Sequence, residues 1–256
     1  MKISVLTVAL NAAETIEDTL RSVISQTHPD VEHVIVDGAS TDDTLQIVKR
    51  YPQRLGKVIS EPDEGLYDAM NKALDSATGD VIGTLNADDM YFDEHVLQRV
   101  AEAFEDPELG ACWGDMQLMD FEDMHRLRRY WKSSPYKPGK FSRGWVPPHP
   151  AFFARGDIYR EKGKFDLSYK VAADFEMLVR LIEKCKIKTA YIPATLSRFR
   201  LGGVSNQSLR NVSQGNREIL RALRTNSVSV SPFWPVTKFS GKLLQFLRKP
   251  VPNDQR

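Results

Sequence analysis

Two carboxylates stand side by side where an apolar run stops. The stretch VIGTL at 81–85 leads through Asn86 and Ala87 into Asp88 and Asp89. Adjacent anions are costly to bury, so the pair calls for water or a cation. A second acid, Asp37, ends the apolar run in VIVDGAST, and Gly38 after it permits a tight turn or a close backbone approach. A third, Asp174, opens the apolar pattern of KVAADFEMLVRL, with Glu176 two residues on. Acids of this kind hold a hard divalent cation through oxygen, or take a proton from a hydroxyl. Each also has an ordinary use. Asp88 and Asp89 suit a solvated loop or a helix N-cap, Asp37 an Asx-turn, and Asp174 a cap. Tyr67, Asp68, Asn71 and Lys72 fall in the first turns of one helical pattern, where a solvated face accounts for them as well. His149 follows VPP and precedes an apolar run, a place where a lone histidine is more often structural.

The elements that must carry these groups alternate through the first half. ISVLTV (3–8), HVIV (33–36), KVIS (57–60) and DVIGTL (80–85) read as short strands. Between them Ile16, Leu20, Val23 and Ile24 mark a helix, with Asn11 as its cap and Glu14 completing a capping box. STDDT precedes a second helix. Leu66, Met70, Ala73, Leu74 and Ala77 trace a third that Gly79 closes, and Val96, Leu97, Val100 and Phe104 trace a fourth. Strand–helix alternation predicts a mainly parallel sheet covered by helices, with ligands beyond the carboxyl ends of its strands. Asn11, Asp37 and Asp88–Asp89 all fall at such ends. From about 107 the rhythm changes. ACWGDMQLMD and RLRRYWK read as less regular strands, 133–150 as a Pro/Gly/Lys-rich loop, AFFA and TAYIPATLSRFRL as further strand, and 173–185 as helix.

Composition excludes several classes. The 256 residues are 41% hydrophobic and 27% charged with a net charge of +1, an ordinary globular balance and no magnet for nucleic acid. Cys112 and Cys185 lie far apart without CxxC spacing, so neither a disulfide framework nor a zinc site is expected. The N-terminus lacks a signal-peptide pattern, and no run approaches the roughly 20 apolar residues that span a bilayer. A cytoplasmic protein is expected.

The ordered segments SVLTVALNAAETIEDTLRSVISQTHPDVEHVIVDGASTDDT, EPDEGLYDAMNKALDSATGDVIGTLNADD, HPAFFARG with FDLSYKVAADFEMLVRL, and FRLGGVS carry a resemblance. Across residues 1–204 the chain resembles the family 2 glycosyltransferases of the GT-A fold, in particular small bacterial, non-processive members that build surface polysaccharides, the colanic-acid type being nearest. The resemblance implies a Rossmann-like α/β fold, a mixed, mainly parallel sheet flanked by helices. Residues 1–106 form its nucleotide-binding half, 107–204 its acceptor half, and 205–256 a C-terminal helical extension. It implies that Thr7, Ala9 and Asn11 meet the nucleotide, that Asp37 reads its base (usually uracil), and that Asn71 and Asn86 join the nucleotide-binding set. Asn86-Ala87-Asp88 stands at the family's Asp-x-Asp motif, so Asp88, with Asp89 beside it, would hold Mg²⁺ or Mn²⁺. Asn86 replaces the motif's first acid and leaves one charge fewer. Asp174 matches the catalytic base, and His149 falls at the acceptor side.

The implied activity is an inverting, metal-dependent transfer of one sugar, of hexosyltransferase type, from a nucleotide-diphosphate sugar such as a UDP-sugar to a hydroxyl of a glycan or lipid-linked acceptor. The QxxRW motif of processive synthases is absent. A sugar nucleotidyltransferase would want a Gly-rich, basic loop after the first strand, which TVALNAAETIED is not. A nucleotide-sugar-binding protein with a degenerate site is the other alternative. The basic, aromatic-bearing stretch SPFWPVTKFSGKLLQFLRKP (231–250) suits either a helix packed on the domain or peripheral contact with the cytoplasmic face of an anionic inner membrane.

Overall fold

A computed structural model describes residues 1–202 and 209–230, with the backbone alone at 209–211. Gly203–Ser205 of the FRLGGVS segment and the basic stretch 231–250 lie outside the described residues. The first half is built from β1 (Ile3–Ala9), α1 (Ile16–Ile24), β2 (Val31–Asp37), α2 (Thr44–Arg50), β3 (Leu55–Ser60), α3 (Leu66–Ser76), β4 (Val81–Thr84), β5 (Met90–Tyr91) and α4 (Val96–Ala103). The second half contains β6 (Ala111–Met119), β7 (Leu127–Trp131), β8 (Phe152–Arg155), α5 (Gly156–Lys162), α6 (Ala173–Val179) with a π-helical turn over Arg180–Lys184, β9 (Thr189–Arg200) and α7 (Leu209–Thr225).

One sheet runs through both halves in the order β3-β2-β1-β4-β8-β6-β9-β5, with β7 added beside β6. The strands β1 to β4 pair in parallel, which explains why β1 is buried at every position and reads as an unbroken apolar run. Antiparallel pairing enters with β8, which lies between β4 and β6. There Gly83 is needed, because a Cβ at that position would run into the Phe153 ring of the facing strand. β6 is likewise buried throughout, and it tolerates Asp115 because Tyr130, Tyr191 and the Ser133 N–H all donate to that carboxylate.

Helices close both faces. Ile16, Leu20 and Val23 of α1 are fully buried, each contributing roughly 1.5–3 kcal/mol of transfer energy. Tyr67, Met70, Ala73 and Leu74 of α3 join Trp113, Phe152, Phe165 and Met177 in the main core, so α3 ties the two halves together.

Two sequence expectations need correction. Asn11 does not cap α1. The helix starts at Ile16 behind Thr15, which makes no side-chain cap bond, and Asn11 adopts a left-handed φ of 49°. A turn closed by the N–H groups of Thr15 and Ile16 on the Ala12 carbonyl takes the first residues instead. Asn tolerates that backbone better than other non-glycine residues. Likewise α3 ends at Ser76, with Ala77 already extended, so Gly79 is not its cap.

Candidate active site

The carboxyl ends of β1 and β2 meet in register, Ala9 beside Asp37, and Gly38 N–H donates to the Ala9 carbonyl at 2.8 Å. Asp37 is fully buried. Its Oδ2 accepts from Ser40 N–H at 3.1 Å and from the Ser60 hydroxyl at 2.8 Å, while Oδ1 has no protein partner. Gly38 serves close approach rather than an unusual dihedral: a Cβ there would strike the Asp63 carboxylate. Asn11 is exposed and stitches this end to the next loop, its N–H donating to Ser40 Oγ at 2.8 Å and its Oδ1 accepting Thr41 N–H at 2.9 Å.

Two expected nucleotide contacts sit elsewhere. The Thr7 hydroxyl is wholly buried between His33 Nε2 at 2.8 Å and the Leu85 carbonyl at 2.7 Å, within the strand layer. Asn71 clasps both the N–H and the carbonyl of Phe165, at 3.0 and 2.9 Å, so its amide fastens the second half to α3.

Beyond β4 the chain turns at once. Asp89 N–H donates to the Asn86 carbonyl at 3.0 Å, and the Thr19 hydroxyl of α1 donates to the Asp89 carbonyl at 2.6 Å. The Asp89 side chain is fully buried. Oδ1 accepts Arg200 N–H at 3.1 Å, and Oδ2 has no protein partner. Asp88 is half-buried. Desolvation pushes both carboxyls above their ordinary range. For Asp89 the adjacent Asp88 charge adds to this, against a smaller opposing effect of Arg200.

Arg200 is buried, donating to the Asp88 carbonyl at 3.3 Å, the Phe121 carbonyl at 2.8 Å and the Asp18 carboxylate at 2.8 Å. A divalent cation fits this loop. An orphaned, desolvated carboxylate oxygen beside a second acid is a donor set lacking its positive charge. Among the described residues no three His, Cys, Asp or Glu gather to make a cage. One or two carboxylates completed by water and substrate phosphates is the way Mg²⁺ is usually held.

Asp174, 85 residues further on, is half-buried at the start of α6. Its Oδ1 lies 3.0 Å from the Tyr67 hydroxyl of α3. His149 stands near enough for the Asp174 charge to act on it, although burial has the larger effect and lowers the imidazole. His149 Nε2 lies 3.5 Å from the Thr84 hydroxyl at the end of β4, and its ring meets Phe165 edge-on at 5.8 Å. Glu176 takes no part: it is buried and bound by Arg180 and Asn226. A small cavity of about 90 Å³ opens beside this group, lined by Gly65, Tyr67, Asp68, Leu167, Tyr169 and Lys170 among others.

The sequence reading placed Tyr67 on a helix face that solvent could account for and gave it no role, and it passed over Glu218. The recurrence of Tyr67 with Met70 and Leu74 at helical spacing was the signal for the buried face it occupies. Glu218 gave none, because its role is set by a loop 46–48 residues upstream.

Comparisons with known proteins bear on the family and the fold. The profile described as Glycosyl transferase family 2 matches residues 4–158. A PGL/p-HBAD biosynthesis glycosyltransferase of Mycobacterium bovis is 32% identical over 215 residues, covering 79% of this chain and 78% of that protein. Among solved structures, S. aureus TarS superposes with a TM-score of 0.64 at 18% identity over 99% of this chain, which spans only 45% of the TarS chain. Its residues 1–349 have also been solved with UDP and with UDP-GlcNAc. The mannosyltransferase PcManGT of Pyrobaculum calidifontis, in complex with GDP-Man and Mn²⁺, gives a TM-score of 0.63 at 18% identity, over 98% of this chain and 76% of that one. No helix among the described residues is long and apolar enough to cross a membrane. With its GT-A fold and a family profile covering more than half its length, the chain belongs to the family 2 glycosyltransferases and is a transferase.

Proposed function

We propose that the protein is an inverting glycosyltransferase that moves one sugar from a nucleotide-diphosphate donor, a UDP-sugar, to a hydroxyl of a glycan or lipid-linked acceptor of bacterial surface polysaccharide. The observation that carries this reading is the division of labour among acids at element ends. Asp37 keeps one oxygen unpartnered at one strand end, Asp88 and Asp89 stand at another, and Asp174 opens α6 with one oxygen on the Tyr67 hydroxyl.

Asp37 Oδ1 is an acceptor suited to the imide N–H of uracil. Asp88, with Asp89 and the Asn86 oxygen behind it, would hold Mg²⁺ or Mn²⁺, which when bound neutralises charge on the departing diphosphate. Ala9 and Asn11 border the nucleotide; Thr7 and Asn71 act on it through the segments they hold. Asp174 takes the acceptor's proton as the hydroxyl attacks C1 opposite the leaving group, a contribution of about 10²–10⁴-fold. His149 borders the acceptor. The UDP, UDP-GlcNAc and GDP-Man complexes of structural neighbours support a nucleotide-sugar donor, and the Mn²⁺ in one of them supports the metal. The name of the mycobacterial relative supports a glycoconjugate acceptor. We assign the enzyme to the cytoplasm.

The test is nucleotide release from a panel of UDP- and GDP-sugars with Mn²⁺, run on wild type, Asp174→Asn and Asp88→Ala. Asp174→Asn is expected to bind UDP normally and lose at least about 10²-fold in turnover. Asp88→Ala is expected to lose Mn²⁺-dependent nucleotide binding. Wild-type turnover by Asp174→Asn, or no release from any donor by wild type, overturns the reading.

A further inference from the structure

The Tyr67 hydroxyl carries one proton and faces two acceptors, Asp174 Oδ1 at 3.0 Å and the Val171 carbonyl at 2.9 Å. The phenol is buried, its ring stacked on Phe165 at 5.6 Å between centroids. Burial, and then the Asp174 charge, push its ionisation far upward, so it remains a donor. The second acceptor is itself held. Glu218 of α7 accepts the N–H groups of Lys170, Val171 and Ala172 at 3.1, 2.8 and 2.9 Å, which fixes the peptide carrying the Val171 carbonyl. Among the described residues, Asp174 Oδ2 carries no hydrogen bond.

We propose that Tyr67 is a positioning residue that selects which oxygen of Asp174 acts as base: its hydroxyl pins Oδ1 and leaves Oδ2 to receive the acceptor's proton. This rests on Asp174 being the base. As the acceptor oxygen bonds to C1 and the C1–phosphate bond breaks, the electron pair leaves with the diphosphate and the acceptor's proton passes to Oδ2. Asp174 is then neutral and a poorer acceptor, and the phenol proton turns to the Val171 carbonyl. Tyr67 neither gains nor loses a proton over the cycle.

The other groups facing Asp174 are accounted for. His149 approaches from the segment before β8. Glu176 on its own helix is bound by Arg180 and Asn226, and Glu218 of α7 is occupied by backbone N–H groups. Asp68, next to Tyr67, pairs with Lys72, and Lys170 is exposed.

Tyr67→Phe keeps the ring and removes only the hydroxyl. The kcat of nucleotide release is expected to fall about 10-fold in Tyr67→Phe, while donor KM and UDP affinity stay within about twofold. If Tyr67→Phe melts early, 3-fluorotyrosine placed at position 67, which keeps both ring and hydroxyl, should hold kcat within about threefold of wild type, and a larger loss there overturns the proposal. Wild-type kcat in the folded Tyr67→Phe variant overturns it as well. Full activity of Asp174→Asn together with a reduced kcat in Tyr67→Phe would instead overturn the base assignment and leave a role for the Tyr67 hydroxyl standing.

Discussion

Asp37 gives one oxygen to its own strand end and keeps the other. Its Oδ2 is fixed by Ser40 and Ser60, which leaves Oδ1 as a buried acceptor with nothing to accept from. Exchanging that oxygen for an N–H₂ turns a donor–acceptor contact into a donor–donor clash, and sites built to hydrogen-bond a ligand discriminate strongly when the match is lost. Asp37→Asn is therefore expected to raise the UDP dissociation constant and the donor KM by at least about 10-fold, with kcat changed by less than about threefold. Calorimetric titration with UDP checks the first and steady-state kinetics the second. A loss confined to kcat would move Asp37 from base recognition to the chemical step.

At the scale of elements, β9 steadies the loop that carries Asp88 and Asp89. Arg200 at its end supplies a backbone N–H to Asp89 and side-chain donors to the Asp88 and Phe121 carbonyls and to Asp18. Arg200→Ala leaves two carbonyls and one carboxylate without those partners. It should cost about 2–3 kcal/mol in urea unfolding and weaken UDP binding in Mn²⁺ about 10-fold, while binding in EDTA changes little.

This dependence was not legible in the sequence, whereas β1, β2, β4 and the faces of α1, α3 and α4 were. Those elements declare themselves locally, through β-branched runs or helical spacing. Pairing between distant strands does not. That β6 runs parallel to β9, that the two-residue β5 ends the sheet, and that Arg200 turns inward follow from register. The acids of the candidate site were legible because charge at the end of an apolar run is conspicuous. Tyr67 and Glu218 were not, since one looked like a helix surface and the other acts on backbone far from it in sequence. Asn11 misled because the same residue type suits a cap and a left-handed turn.

For the whole molecule, the seam between β1 and β2 contributes to how the fold responds to acid, beside buried His149, which acts in the same sense, and Asp88 and Asp89, whose raised carboxyls act in the opposite one. The Thr7 hydroxyl donates to the Leu85 carbonyl, so it accepts from His33, whose Nε2 carries the hydrogen. His33 Nδ1 is then a buried nitrogen without a partner, and protonating it would leave a cation with no acceptor. Burial accordingly lowers the His33 pKa from 6.5 to about 4. Between those values the unfolded chain binds a proton that the folded chain refuses, so stability rises with pH. The contribution is fully present above pH 6.5, and about 3 kcal/mol of it is lost as the pH falls through 4. Glu32 on the same strand acts in a lower window. Burial raises its pKa, but hydrogen bonds from Lys2, Ser4 and Thr78 outweigh this and bring it from 4.5 to about 2. Its stabilisation is present above 4.5 and is lost below. Acid unfolding should thus begin well above the carboxylate range. His33→Gln, which can still donate to Thr7, should reduce the rise of urea-derived stability with pH between about pH 4 and 6.5 and leave the lower limb unchanged. Equal slopes for wild type and His33→Gln in that upper window would show that His33 does not contribute to the response.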